Sequence, residues 1–127
     1  MLSLTCLALN VYFEARSEPI VAQFAVAQVT INRVVSQEYP NTVCDVVWQK
    51  GQFSWTHDGK SDKPKEKKAW KRAQWVASAV LDDDDNSLSI VPPDTVHYHA
   101  DYVRPYWVSH CELVTKIGRH IFYRRKI

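Results

Sequence analysis

The sequence predicts an α+β fold: a compact helical core with a small antiparallel β-sheet or hairpin added late in the chain. Three observations carry that expectation. Apolar residues recur at helical spacing through most of the first two thirds. From Thr95 onward the pattern changes to the alternation of strands. At 127 residues, 46% hydrophobic and 24% charged, the chain is sized for a single domain over residues 1–127.

Leu4, Leu7, Ala8 and Val11, three and four apart, predict a first helix over Ser3–Arg16. Pro19 lacks a backbone donor and is tolerated mainly in a helix's first turn, so it places a break at Ser17-Glu18 and opens a second helix running to about Gln37. Ile20, Phe24, Ala27, Ile31 and Val34 form its stripe, widened by Val21, Ala25 and Val29, so it should pack on more than one side. Asn32-Arg33 reads as a buried polar pair serving neighbouring loops. Tyr39-Pro40-Asn41-Thr42 is a turn and cap before a short helix holding Val43, Val46 and Val47 and ending near Trp48.

The lysines between Lys60 and Lys68 read as a solvated face leading into a third helix, from about Pro64 to Leu81, with Trp70, Ala73, Val76, Ala77 and Val80 at helical spacing. The four aspartates that follow it end that helix, because negative charge is unfavourable at its C-terminus, and they lack the ligand spacing of a calcium loop. Thr95–Ala100 alternates as a strand, Pro105-Tyr106-Trp107 interrupts, and Leu113–Tyr123 reads as a hairpin turning near Gly118.

Three cysteines leave at least one unpaired. Cys6, at an apolar helical position, reads as a small core residue; Cys44 and Cys111 are the pair open to a disulfide. A net charge of +2 gives no case for a nucleic-acid partner, and no apolar run reaches the length of a membrane span, so no membrane insertion is expected. The N-terminus lacks the basic start and cleavage site of a signal peptide, which predicts synthesis in the cytoplasm.

The chemistry concentrates at Tyr12-Phe13-Glu14-Ala15-Arg16-Ser17-Glu18-Pro19. Glu14 falls in the last turn of the first helix, where the macrodipole and the adjoining rings disfavour the anion and raise its pKa, as a general acid requires. Glu18 falls at the start of the second helix, where the anion is favoured, and reads as a cap or an ion-pair partner. Both also fit as plain helix-end carboxylates, one paired with Arg16. Gln52-Phe53-Ser54-Trp55-Thr56 places two large rings between turns, equally suited to lining a groove for sugars or to plugging a core. His97, His99 and His120 with Glu14 are a conceivable zinc set, but the spacing favours hydrogen-bonding groove residues, and no metal or other cofactor is expected.

Tyr12–Pro19, Ala25-Val26-Ala27-Gln28-Val29, Asn32-Arg33-Val34, Tyr39-Pro40 with Thr42-Val43-Cys44, Gln52–Thr56, Thr95–Ala100 and Ile117–Arg124 resemble, in order, the SleB-like cell wall hydrolases. The resemblance covers about Leu7 to Arg125 and implies a fold related to lysozyme-like lytic transglycosylases. It implies cleavage of the bond between N-acetylmuramic acid and N-acetylglucosamine in peptidoglycan, by a monomer. It also implies Glu14 as catalytic acid, and substrate contacts from Gln52, Phe53, Trp55, His97, Tyr98, His120 and Tyr123, supported by Arg16 and Glu18. Alternatives on the same wall polymer are a hydrolytic muramidase, with Glu18 or an aspartate positioning water, and a zinc-dependent amidase using His97, His99 and His120. The sequence departs from the family pattern at Ser17, usually glycine, and at Pro92-Pro93, in a loop usually glycine-rich on the groove's rim. Lys50-Gly51 stands where relatives carry a cysteine that bridges to the equivalent of Cys44. A domain of this kind acting on the wall is expected either as a phage endolysin released through a holin-type pore or as a trimmed exported enzyme.

Overall fold

The computed structural model describes residues 1–126. Four helices, α1 (Ser3–Ala15), α2 (Ile20–Val35), α3 (Val43–Val47) and α4 (Lys67–Leu81), precede three strands, β1 (Thr95–Ala100), β2 (Cys111–Ile117) and β3 (His120–Arg125). The strands form one antiparallel sheet in the order β1-β3-β2. The α+β expectation holds.

α1 is the central element, packed on α2, α3 and α4 and buried from Cys6 to Tyr12. The core around it takes in Val43, Val47, Ala73, Val76, Ala77 and Val80. A second cluster, with Ala25, Val26, Val29, Val91 and Phe122, joins α2 to the sheet. α2 is therefore sandwiched, as expected, but its stripe is displaced. Ile20 and Val21 are exposed, while Gln23, Gln28, Thr30, Asn32 and Arg33 are buried. All but the Thr30 hydroxyl, which has no partner among the described residues, are held by hydrogen bonds: Gln23 Nε2 donates to the Glu18 carbonyl, Gln28 to Asn32, Asn32 to the carbonyls of Pro92 and Thr95, and Arg33 to the carbonyl of Val96.

α2 stops at Val35, earlier than expected, because Ser36 is already extended. α4 starts at Lys67 rather than Pro64 because Glu66 is held off the helix: its backbone N–H donates to the Tyr12 hydroxyl at 3.0 Å and its carboxylate pairs with Arg16. Thr42 caps α3 by accepting from the Asp45 N–H, as anticipated.

The cysteine expectation is corrected. Cys44 pairs with Cys6, Cα atoms 5.3 Å apart, and Cys111 is free and buried. Cys6 is in the core as foreseen, but its face of α1 meets α3, whereas Cys111 opens β2 on the sheet. Ser17 is not among the described residues with positive φ, so its backbone does not demand the family's glycine. Gly118 does take a positive φ of 57°, at the first residue of the β2–β3 turn, where such hairpins accept glycine.

Candidate active site

Two concavities meet at the C-terminal end of α1. The larger, about 1230 Å³, is a groove between the helices and the sheet; the smaller, about 520 Å³, lies beside Tyr12, Arg16 and the segment leading to α4. Phe13, Glu14 and Ser54 line both. Glu14 thus stands on the border that the two concavities share.

Its surroundings are built from three elements. The Tyr98 hydroxyl, on β1, donates to Glu14 Oε1 at 2.8 Å. His120, at the start of β3, donates from Nε2 to the Glu14 backbone carbonyl at 3.1 Å. Arg33, from α2, lies between the rings of Tyr39 and Phe53, about 5 Å from each centroid, with Nε donating to the Val96 carbonyl and Nη1 to Gln52 Oε1. Glu14 Oε2 has no hydrogen-bond partner among the described residues.

Burial raises the Glu14 pKa above the ordinary carboxylate value, opposed by the Tyr98 hydrogen bond and then by the charges of His120 and Arg33. Burial, next to the Glu14 carboxyl, likewise holds Tyr98 well above the usual phenol, so it remains a neutral donor. His97 is pushed down to about 4, by burial first and then by Arg33 and Arg125, which leaves it uncharged at neutral pH. The groove therefore combines a carboxyl whose pKa burial raises with the neutral Tyr98 and His97 and the charged Arg33 around it.

The other acids on the cleft are engaged. Glu38 pairs with Arg125, Glu66 with Arg16, and Asp58 accepts from the Lys60 backbone N–H. Glu18 does not line the cleft: its Oε1 accepts from the Arg119 N–H at 2.6 Å and faces His120 Nδ1 at 3.2 Å. It is an ion-pair partner of the hairpin turn and not a cap of α2, whose first turn carries no side-chain cap. Arg16 pairs with Glu66, not with Glu14 or Glu18.

Gln52, Phe53, His97, Tyr98 and His120 line the groove. Two of the expected groove rings stand elsewhere. Tyr123 is buried beneath His99, stacked on it at 5.3 Å with its hydroxyl 2.8 Å from His99 Nε2. Trp55 is 5% exposed, stacked on Phe13, with Nε1 donating to Asn10, so it is core that only borders the smaller concavity. The histidines are not assembled as a zinc set: His99 turns to the Ala100 carbonyl and Tyr123, His120 to Glu14 and Glu18, and His97 to Tyr39. Pro92-Pro93 is not part of the groove's rim; Pro93 borders a separate concavity behind α2.

Sequence reading passed over Tyr39, Tyr106 and Trp107 as groove residues. Trp107 packs against His97 at 5.0 Å and His99 at 5.7 Å, walling the groove from the β1–β2 connection. The available signal was an aromatic pair in an interrupting loop, next to proline.

Comparison with known proteins agrees with this geometry. Residues 17–123 match the cell wall hydrolase family, a match that begins just past Glu14. The chain is 37% identical over 112 residues to a spore cortex-lytic enzyme of Bacillus cereus, covering 88% of this chain and 40% of that protein. It is 32% identical to one from Halalkalibacterium halodurans, covering 91% of this chain and 33% of that protein. The chain therefore spans well under half the length of these curated relatives. Among solved structures, the catalytic domain of the germination-specific lytic transglycosylase SleB from Bacillus anthracis superposes with a TM-score of 0.78 at 30% identity, covering 96% of this chain and 93% of that one. With its sequence and its fold both in agreement, this chain belongs to the SleB-like cell wall hydrolase family.

Proposed function

We propose that the chain cleaves the bond between N-acetylmuramic acid and N-acetylglucosamine in peptidoglycan as a lytic transglycosylase, with Glu14 as general acid and then base. The observation that carries this is one raised, half-buried carboxyl on the border shared by two concavities, where every other lining acid already has a hydrogen-bond or ion-pair partner. A hydrolase with two carboxylates flanking the bond needs a second free acid. A transglycosylase does not, because the substrate supplies its own nucleophile.

In the proposed reaction, protonated Glu14 gives its proton to the glycosidic oxygen as the C1–O bond of the muramic acid breaks. The Glu14 carboxylate then takes the proton of the muramic acid C6 hydroxyl as O6 bonds to C1, forming a 1,6-anhydro ring and restoring the acid. The Tyr98 hydroxyl orients the carboxyl and steadies its anionic form between the two proton transfers. The neutral His97 and Gln52 offer hydrogen bonds to the sugars, and the exposed Tyr106 ring on the groove offers stacking. The Cys6–Cys44 bridge supports action outside a reducing cytosol, as an endolysin or an exported enzyme would require.

Mass spectrometry of the muropeptides released from purified sacculi tests the reading. Products lighter than hydrolytic ones by one water, absent with Glu14→Gln, are expected. Reducing-end sugars would replace the transglycosylase with a hydrolase, and free stem peptides would overturn glycosidic cleavage altogether.

A further inference from the structure

The two arms of the cleft differ in chemistry. The larger is walled by rings from Tyr39, Phe53, Tyr98 and Trp107. The smaller carries Lys60, Lys63 and Lys65 on one side, and none of the three makes an ion pair among the described residues. Of the acids beside them, Glu66 is paired with Arg16, whereas Asp58 accepts only the Lys60 backbone N–H and keeps its charge, as does Asp62 between Lys60 and Lys63 in the chain. With Arg16 and Glu66 cancelling, Lys60, Lys63 and Lys65 outnumber Asp58 on this concavity and leave an excess of positive charge next to Glu14. On sequence alone they read as a solvated face. Their common position on a cleft wall gives them something to face.

We propose that this arm is a binding site for the carboxylates of the peptide stems carried by the glycan, lying on the opposite side of Glu14 from the aromatic arm. This rests on the proposed peptidoglycan substrate and deepens it. The amino sugars of the strand are neutral, and the lactyl group of a peptide-bearing muramic acid is spent in an amide bond. The stem's free carboxylates are therefore the anions that a cut site always brings near. Phosphate polymers attached through the muramic acid C6 oxygen are the other wall anion, but a muramic acid that closes an anhydro ring must keep that hydroxyl free. Lysine ammoniums on an exposed wall suit such a ligand: they attract it at long range and tolerate variable geometry. Salt weakens the attraction.

The test compares three substrates: solubilised peptide-bearing strands, the same strands with their carboxylates amidated by methylamine, and strands stripped of peptides. At low ionic strength the wild type should show kcat/KM about three- to tenfold higher on the native strands than on the amidated ones, and the gap should close as salt is added. The triple variant Lys60→Gln/Lys63→Gln/Lys65→Gln should bring the native-to-amidated ratio near one, while the triple arginine variant keeps it. A wild-type ratio already near one, or a triple glutamine variant that retains the ratio, would overturn the proposal. Co-sedimentation of Glu14→Gln with native and amidated sacculi reads the same preference without turnover. A preference there with no cleavage of any substrate by the wild type would sink the proposed reaction but keep the peptide site; equal binding to both sacculi would sink the site alone.

Discussion

Glu14 and Glu18 are four residues apart, on either side of one helix break, and the fold gives them opposite surroundings. Glu14 keeps one carboxylate oxygen without a partner and faces the cleft from the last turn of α1, with Tyr98 as its side-chain hydrogen bond. Glu18 is turned to the hairpin, where one oxygen serves both the Arg119 N–H and His120. His120 links the two regions, because its other ring nitrogen bonds the Glu14 carbonyl. Chemical identity and sequence proximity therefore do not decide a role here. What decides it is where the surrounding structure turns the carboxylate: Glu18 into the hairpin, against a backbone N–H and His120, and Glu14 onto the cleft beside Tyr98. One glutamate anchors the sheet to the helices, and the other faces the cleft.

Four substitutions test that division, the largest effect first. Glu14→Gln should lower kcat by about 10²–10⁴-fold, the usual contribution of a positioned acid–base. It should also leave the fold as stable or more stable. Burial raises the folded pKa, so between the ordinary carboxylate value and that raised value the native state holds more protons than the unfolded chain. Stability then falls as pH rises through that window, and the variant escapes the loss. Thermal melts of the two proteins should separate in the variant's favour from acid to neutral pH.

Glu18→Ala should do the reverse, destabilising the fold by about 1–3 kcal/mol as the Arg119 N–H and His120 lose their acceptor. Its remaining folded fraction should keep most of the activity, read by denaturant titration alongside turnover. Gly118→Ala strikes the same anchor from the other side. An added Cβ would sit 2.7 Å from Glu18 Oε1 at a positive φ, and should cost about 1 kcal/mol or more by the same titration. Tyr98→Phe should have the mildest effect on stability but a specific kinetic signature. The lost hydrogen bond favoured the anion, so the Glu14 pKa should rise further and the alkaline limb of the kcat/KM profile should move to higher pH.

Much of this contrast was legible in the residues. Pro19 placed the break, Gly118 placed the hairpin turn, and the helix-end position of Glu14 gave the direction of its pKa, though burial and not the macrodipole is the main cause. What was hidden depends on how elements rotate against each other. Cys6 and Cys44 look unrelated until α1 lies on α3. Tyr123, three residues on from His120, alternates onto the opposite face of β3, where it is covered by His99 and by Trp107, whose loop position carries no periodicity. Trp55 sits in a motif of polar neighbours, but the Asn10 side chain inside α1 gives its indole N–H a buried acceptor and draws it into the core. The lysines ahead of α4 resemble any solvated run until Tyr12 and Arg16 hold Glu66 and fold that segment into a wall.

The most direct test is to titrate the Glu14 side-chain carbon by NMR and to measure the pH profile of kcat/KM on the same preparation. The expected result is one midpoint above the unperturbed glutamate value of about 4.3, shared by the carboxyl and by the alkaline limb of activity. A Glu14 midpoint at or below that value, or an alkaline limb that survives unchanged in Glu14→Gln, would contradict it.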